Sequence, residues 1–179
     1  MLIAQKKRKE NIAEYILYLY QVEDLIRAFH LDMNLINDKL VTKYQADKKT
    51  SEEISDWYEN LVVMMEKEGI QKKGHLQFVT NLLGELNEFH LRLMETKADS
   101  IYISIYQAVA GLLNELKQKN PQATMDVQVA IDGIYGYLML KIQQKEITDE
   151  TAEAVKRLSH WLAHLSKLFR DYEKGDLEF

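Results

Sequence analysis

The stretch Ile12-Ala13-Glu14-Tyr15-Ile16-Leu17-Tyr18-Leu19-Tyr20-Gln21-Val22-Glu23-Asp24-Leu25-Ile26-Arg27-Ala28-Phe29 decides the fold class. Counted at i, i+3, i+4 and i+7, its residues Ile12, Tyr15, Ile16, Leu19, Val22, Ile26 and Phe29 fall on one stripe of a 3.6-residue helix. The spacing predicts a first helix from about Lys7 to Phe29.

The same rhythm recurs outward. Asp32 can cap a short element to about Gln45 that carries Leu35, Ile36, Leu40 and Tyr44. Thr50-Ser51-Glu52-Glu53 reads as a capping box opening a third helix to about Glu68, with Ile54, Trp57, Leu61 and Met65 on its stripe. Gly69 and Gly74 bracket a basic turn before a fourth helix through Leu76, Val79, Leu83, Leu86 and Leu93 to about Thr96. Asp99 or Ser100 starts a fifth. There Ile101, Ile103 and Ile105 alternate like a strand, but Ile101, Ile105, Ala108, Leu112 and Leu116 sustain helical spacing over the longer window. Asn120-Pro121 interrupts the chain, because the residue before a proline is pushed out of the helical region. A sixth helix follows from about Thr124 to Gln144, and Thr148 caps a seventh bearing Val155, Leu158, Leu162, Leu165, Phe169 and Tyr172. The expectation is an all-α, single-domain bundle of six or seven helices over residues 1–174, joined by short connections, with a polar tail at 175–179.

Composition agrees. Seven glycines and one proline in 179 residues leave little material for tight turns. Gly133 and Gly136 lie inside the sixth helix, where each costs about 1 kcal/mol relative to alanine. The expected compensation is close approach by a second helix, which would make the sixth helix central. With 46% hydrophobic and 28% charged residues the chain matches ordinary globular proteins. The absence of cysteine excludes disulfides, thiolate metal sites and thiol catalysis. A net charge of −5 argues against binding the phosphate backbone of nucleic acids. The basic run Lys6-Lys7-Arg8-Lys9 meets Glu10, Asn11 and Glu14 instead of an apolar stretch, so it reads as the solvated start of a helix rather than a targeting signal. No membrane contact is expected, and the expected location is the cytoplasm.

Catalytic signatures are missing. Gly69-Ile70-Gln71-Lys72-Lys73-Gly74-His75-Leu76 has the glycine spacing of a phosphate loop without its Lys-Ser/Thr end. Neither Glu-x-x-His on two helices nor His-Glu-x-x-His, Gly-x-Ser-x-Gly or a dinucleotide fingerprint occurs. His160 and His164 stand at i and i+4, so a third donor from His75 or His90 would make a three-histidine metal site. Glu23, Arg27 and His30 stand at i, i+4 and i+7 beside the first apolar stripe, so the charged groups there must be paired. Either a buried Glu23–Arg27 ion pair or a ligand pocket, with His90 as a further lining residue, accounts for them. Ten tyrosines against five phenylalanines, at offsets that cannot all face one core, supply amphipathic surface for self-association or a partner.

Ile3-Ala4-Gln5-Lys6-Lys7-Arg8-Lys9-Glu10-Asn11-Ile12-Ala13-Glu14-Tyr15, followed by Gln21-Val22-Glu23-Asp24-Leu25-Ile26-Arg27-Ala28, resembles the N-terminal block of an uncharacterised family of helical proteins of about this length, mostly from Bacteroidetes. The resemblance implies a helical, cytoplasmic bacterial protein and carries over no activity and no catalytic residue. The reading from the sequence is therefore a non-enzymatic protein acting through protein–protein interaction or self-association, without a cofactor. The alternative is a metal- or small-ligand-binding bundle of the three-histidine, DinB-like type.

Overall fold

The computed structural model describes residues 2–178, and they are all-helical. Eight α-helices run α1 (Leu2–Glu10), α2 (Ile12–Ala28), α3 (Met33–Lys39), α4 (Lys48–Lys67), α5 (Gln77–Thr96), α6 (Ser100–Lys119), α7 (Asp126–Ile142) and α8 (Asp149–Glu173), with one 3₁₀ turn at Val41–Tyr44. Met1 and Phe179, the two ends of the expected domain and tail, lie outside the described residues. Within the expected polar tail, Leu177 packs against the core.

The eighth helix comes from a break in the first. Asn11 leaves the helical region at φ −154 and ψ 104, and its side chain accepts the Glu14 amide at 3.1 Å. That is N-cap chemistry, which asparagine performs well and which a stripe count does not detect. α1 then packs on α2 and α8. Part of the basic run is used to hold it there, because the Arg8 guanidinium makes a two-pronged pair with Glu173, at 3.0 and 2.6 Å.

Caps set most of the other boundaries. Asp32, Asp99 and Thr148 each accept amides of the helix they begin. α4 starts earlier than the Thr50 capping box predicts: Asp47 accepts the Thr50 amide at 3.0 Å and its hydroxyl at 2.9 Å, so Thr50 lies inside the first turn. Asp47 wins because a carboxylate at the N-terminus also meets the positive end of the helix dipole.

α7 packs against α2, α5, α6 and α8 and so occupies the centre. Its Val127, Ala130, Ile131 and Ile134 are buried among Leu19 and Ile26 of α2, Leu86 and Leu93 of α5, and Leu158, Leu162 and Leu165 of α8, all in one core. α4 closes over α2, where Trp57 stacks on Tyr18 at 6.4 Å between ring centroids. The glycines of α7 do not mark a close helix crossing. A Cβ at Gly133 would meet Leu116 Cδ1 at 3.5 Å and Leu158 Cδ1 at 3.7 Å, which is ordinary van der Waals contact, and one at Gly136 would meet nothing within 4 Å.

Gly133→Ala should therefore raise the melting temperature, stabilising the helix by up to about 1 kcal/mol. Gly133→Leu should lower it, because a longer side chain must displace Leu116 and Leu158 at a cost of about 1 to 3 kcal/mol. Thermal unfolding followed by circular dichroism checks both, and an alanine variant that melts earlier would restore the close-crossing explanation.

Candidate functional site

The row on α2 is built around Glu23, which is only 1% exposed although it is charged. Its partner is His75, not Arg27. Glu23 Oε2 lies 2.6 Å from His75 Nδ1, and Oε1 accepts the backbone amide of Leu76 at 2.9 Å. The reason lies in α5, whose N-cap position holds Leu76, a residue with no side chain able to cap. Its entry amides are served from elsewhere: Glu23 takes Leu76, and Glu68 takes Gln77 at 2.7 Å. A carboxylate at a helix N-terminus meets both unsatisfied N–H groups and the positive end of the dipole. The arrangement that looks like a buried ion pair in the sequence is a cap supplied by another helix.

Arg27 serves the same turn from outside. It donates to Ile70 O at 3.3 Å and to Gly74 O, and pairs with Asp24 at 2.8 Å. Asp24 in turn accepts from the Tyr135 hydroxyl, which also reaches Tyr20 O at 3.3 Å. His30 is absent from this constellation. The helix ends at Ala28 with Phe29 as its cap, and His30 and Leu31 follow with φ 56 and 62, so the i+7 spacing from Glu23 no longer describes a helix face. His30 is exposed.

Around His75 the structure assembles tyrosines that their sequence offsets assign to a core or a second surface. The Tyr20 ring stacks on the imidazole at 3.6 Å with 10° between planes, and the Tyr135 ring meets Tyr20 edge-on at 5.4 Å. The Tyr20 hydroxyl is buried without a hydrogen-bond partner. Its pKa is pushed up by burial first and then by Asp132, Glu23 and Tyr135. Burial likewise pushes the Asp132 carboxyl above the ordinary carboxylate range, and nearby His75 opposes the shift. Asp132 was detectable as the one charged residue between Val127 and Leu140 of α7.

His90, itself 1% exposed, belongs to a second network at the α5–α6–α7–α8 junction. Its Nδ1 is 2.6 Å from the Tyr102 hydroxyl, which accepts from Trp161 Nε1 at 3.1 Å. The Tyr102 proton is then directed at Nδ1, which leaves the Nε2 proton facing Asp126 at 3.7 Å. Asp126 also accepts from the Tyr106 hydroxyl at 2.6 Å and pairs with Lys117. His90, Lys117 and Tyr106 together hold the Asp126 carboxyl far below the usual range, against the opposing effect of burial. Every polar group in this network has a partner, and it is a structural lock rather than a pocket.

The three histidines considered for a metal do not converge. His75 is engaged by Glu23, His160 is exposed on α8, and His164 Nε2 faces Asp99 Oδ1 at 3.8 Å. Among the described residues no group of three or more His, Asp or Glu could hold a metal ion. The i,i+4 spacing places His160 and His164 on one face, but the histidines expected as third donors are held elsewhere, His75 by Glu23 and His90 by Tyr102.

A different surface feature lies between α6 and α8. Ser104, Ile105, Ala108 and Val109 face Glu153, Lys156, Arg157 and His160 across a groove of about 370 Å³. A second groove of about 300 Å³ continues along the same pair of helices, with Leu112 and Leu116 opposite Ala154, Val155 and Leu158, and Gly133 in its floor. Arg157 crosses the seam to donate to the Ala108 carbonyl. Ile101, one turn before Ile105, is 64% exposed.

Glu23→Leu should cost about 2 to 4 kcal/mol, since it leaves the buried Leu76 amide without an acceptor and takes the partner from the half-buried His75. Arg27→Met should cost less, about 1 to 2 kcal/mol, because Asp24 keeps the Tyr135 hydroxyl and the freed carbonyls lie near solvent. Urea titrations of both variants test the order, and an Arg27 loss equal to or larger than that of Glu23 would contradict the assignment.

No helix among the described residues is long and apolar enough to cross a membrane. No curated protein and no solved structure matches the chain. What the chain shares with other sequences is a pattern running over residues 1–176, nearly its whole length, and by that match it belongs to the family described as a domain of unknown function, DUF4924.

Proposed function

We propose that this chain is a non-enzymatic helical protein that acts by taking another amphipathic helix into the α6–α8 seam, and that the first such helix is the α6 of a second copy. The observation that supports this reading is the seam itself. Two apolar-floored grooves lie end to end along α6, from Ser104 to Lys119, with exposed Ile101 extending the apolar line by one turn. At 1.5 Å per residue the 20 residues of α6 give about 30 Å of docking length. Helix-in-groove recognition uses such i, i+4, i+7 anchors along an apolar floor.

The rim favours a second copy. It carries Glu115, Glu150 and Glu153 together with Lys119, Lys156 and Arg157. A two-fold interface sets a patch against itself, so a patch bearing both signs can satisfy its own charges where a patch of one sign would repel. This reading places the protein in the cytoplasm, with a protein partner rather than nucleic acid, in keeping with the net charge of −5.

Sedimentation velocity over a range of concentrations provides the test. The unaltered chain should pass from monomer to dimer in the micromolar range. Ile101→Lys combined with Ala108→Glu, both exposed and costing little stability, should hold it monomeric with an unchanged melting temperature. A chain that stays monomeric at several hundred micromolar, or a dimer indifferent to both substitutions, would contradict the proposal.

A further inference from the structure

The charges along the α6–α8 seam are segregated. At the groove of about 370 Å³, α8 contributes Lys156, Arg157 and His160 against one carboxylate, Glu153. At the groove of about 300 Å³ the balance is reversed, with Glu115 and Glu150 against Lys119. In a chain of net charge −5, the first groove is therefore a locally basic place. Its floor is aliphatic, formed by Ile105, Ala108 and Val109, with Ser104 as the polar residue on the α6 side. The guanidinium of Arg157 donates to the Ala108 carbonyl and makes no ion pair among the described residues, so most of its five N–H donors have no protein acceptor. Lys156 pairs with Glu153 at 3.5 Å, but both side chains are more than half exposed, and a solvated pair of this kind is easily exchanged.

We propose that this groove binds a small aliphatic acid, with its carboxylate on Arg157 and its chain along Ile105 towards Ile101. The planar fork of a guanidinium matches the two oxygens of a carboxylate, and Lys156 beside it adds a second positive charge. The volume of about 370 Å³ falls within the range of small-ligand pockets, roughly 300 to 1,000 Å³. From Ala108 back to exposed Ile101 the α6 wall runs for about 10 Å at 1.5 Å per residue, which suits a chain of medium length. Other chemistries match only part of the groove. An alkylammonium would meet the charges of Lys156 and Arg157, an alcohol would leave the guanidinium without a counter-charge, and a bare acetate or phosphate would leave the aliphatic floor to water. The site lies in the seam proposed to receive a second copy but does not rest on that reading, because the single chain already presents it.

In the test, dye-labelled full chain at nanomolar concentration, below the range proposed for self-association, is titrated with octanoate and followed by thermophoresis. Octanoate should bind saturably with a Kd of about 0.1 to 1 mM, within reach of a ten-heavy-atom ligand. Acetate, octylammonium and 1-octanol each lack one part of the match and should bind about tenfold more weakly or worse. Arg157→Met keeps the apolar stem and removes the fork, so it should weaken octanoate about tenfold or more. Lys67→Met makes the same change of net charge on α4 and should leave the affinity unmoved. Both residues are exposed, so neither substitution should shift the melting temperature appreciably. Octanol or octylammonium binding as tightly as octanoate would overturn the proposal, since an apolar patch alone would then account for it. Absence of saturation, indifference to Arg157→Met, or an equal loss in Lys67→Met would overturn it as well. Sedimentation of the ligand-free chain judges the second-copy reading separately, so the failure of either leaves the other standing.

Discussion

Three buried polar side chains of this bundle accept amides at or near the N-terminus of another helix. Glu23 of α2 takes the Leu76 amide at the entry to α5, Asn87 of α5 takes Val127 of α7 at 3.4 Å, and Ser166 of α8 takes Ala13 of α2 at 3.3 Å. With His90, these are the whole set of buried polar residues among those described. The first amides of a helix have no partner within it, and where an end is buried no water can substitute. α5 and α7 lack a side-chain cap of their own, with Leu76 and Met125 in the cap positions. Their ends tolerate burial because a neighbour provides the acceptor.

This constraint adds what the apolar stripes lack. Hydrophobic burial is non-directional, and a stripe of Leu, Ile and Val can slide along its partner at modest cost. A hydrogen bond from a particular carboxylate to a particular amide cannot. Links from α8 to α2, α2 to α5 and α5 to α7 fix those helices in register, and the His90–Tyr102–Trp161 network ties α6 and α8 to α5. α7 then presents two different sides. Gly133 lies in the floor of the α6–α8 seam, while Tyr135 faces the α2 side, where its hydroxyl reaches Asp24 and the Tyr20 carbonyl.

The helices were legible in the sequence because their stripes span four or more turns: α2, α4, α5, α7 and α8 repeat apolar residues often enough to outweigh local ambiguity, and length resolved the alternation at Ile101-Ile103-Ile105 in favour of a helix. The break at Asn11 was not legible, because an N-cap occupies one position and leaves the period almost undisturbed. Asp47 was overlooked in favour of Thr50 because both residue types cap well and only backbone geometry separates them. In the candidate site, burial of Glu23 followed from its place between Leu19, Val22 and Ile26. Its partner did not, since His75 lies 52 residues away and local spacing pointed to Arg27. Nor did the assembly of Tyr20 and Tyr135 beside His75, for the same reason: it is a product of α2 packing on α7, and no one-dimensional count contains it.

The most direct test of the capping account is native-state hydrogen exchange at the amides of Ala13, Leu76 and Val127. None of them has an acceptor within its own helix, so an uncapped first turn would let them exchange about as fast as an open amide such as Glu150. If Ser166, Glu23 and Asn87 hold them as described, each should be slowed by about 10³-fold or more relative to Glu150, opening only with the bundle itself. Exchange of all three at the Glu150 rate would contradict the claim that buried side chains of neighbouring helices close these ends.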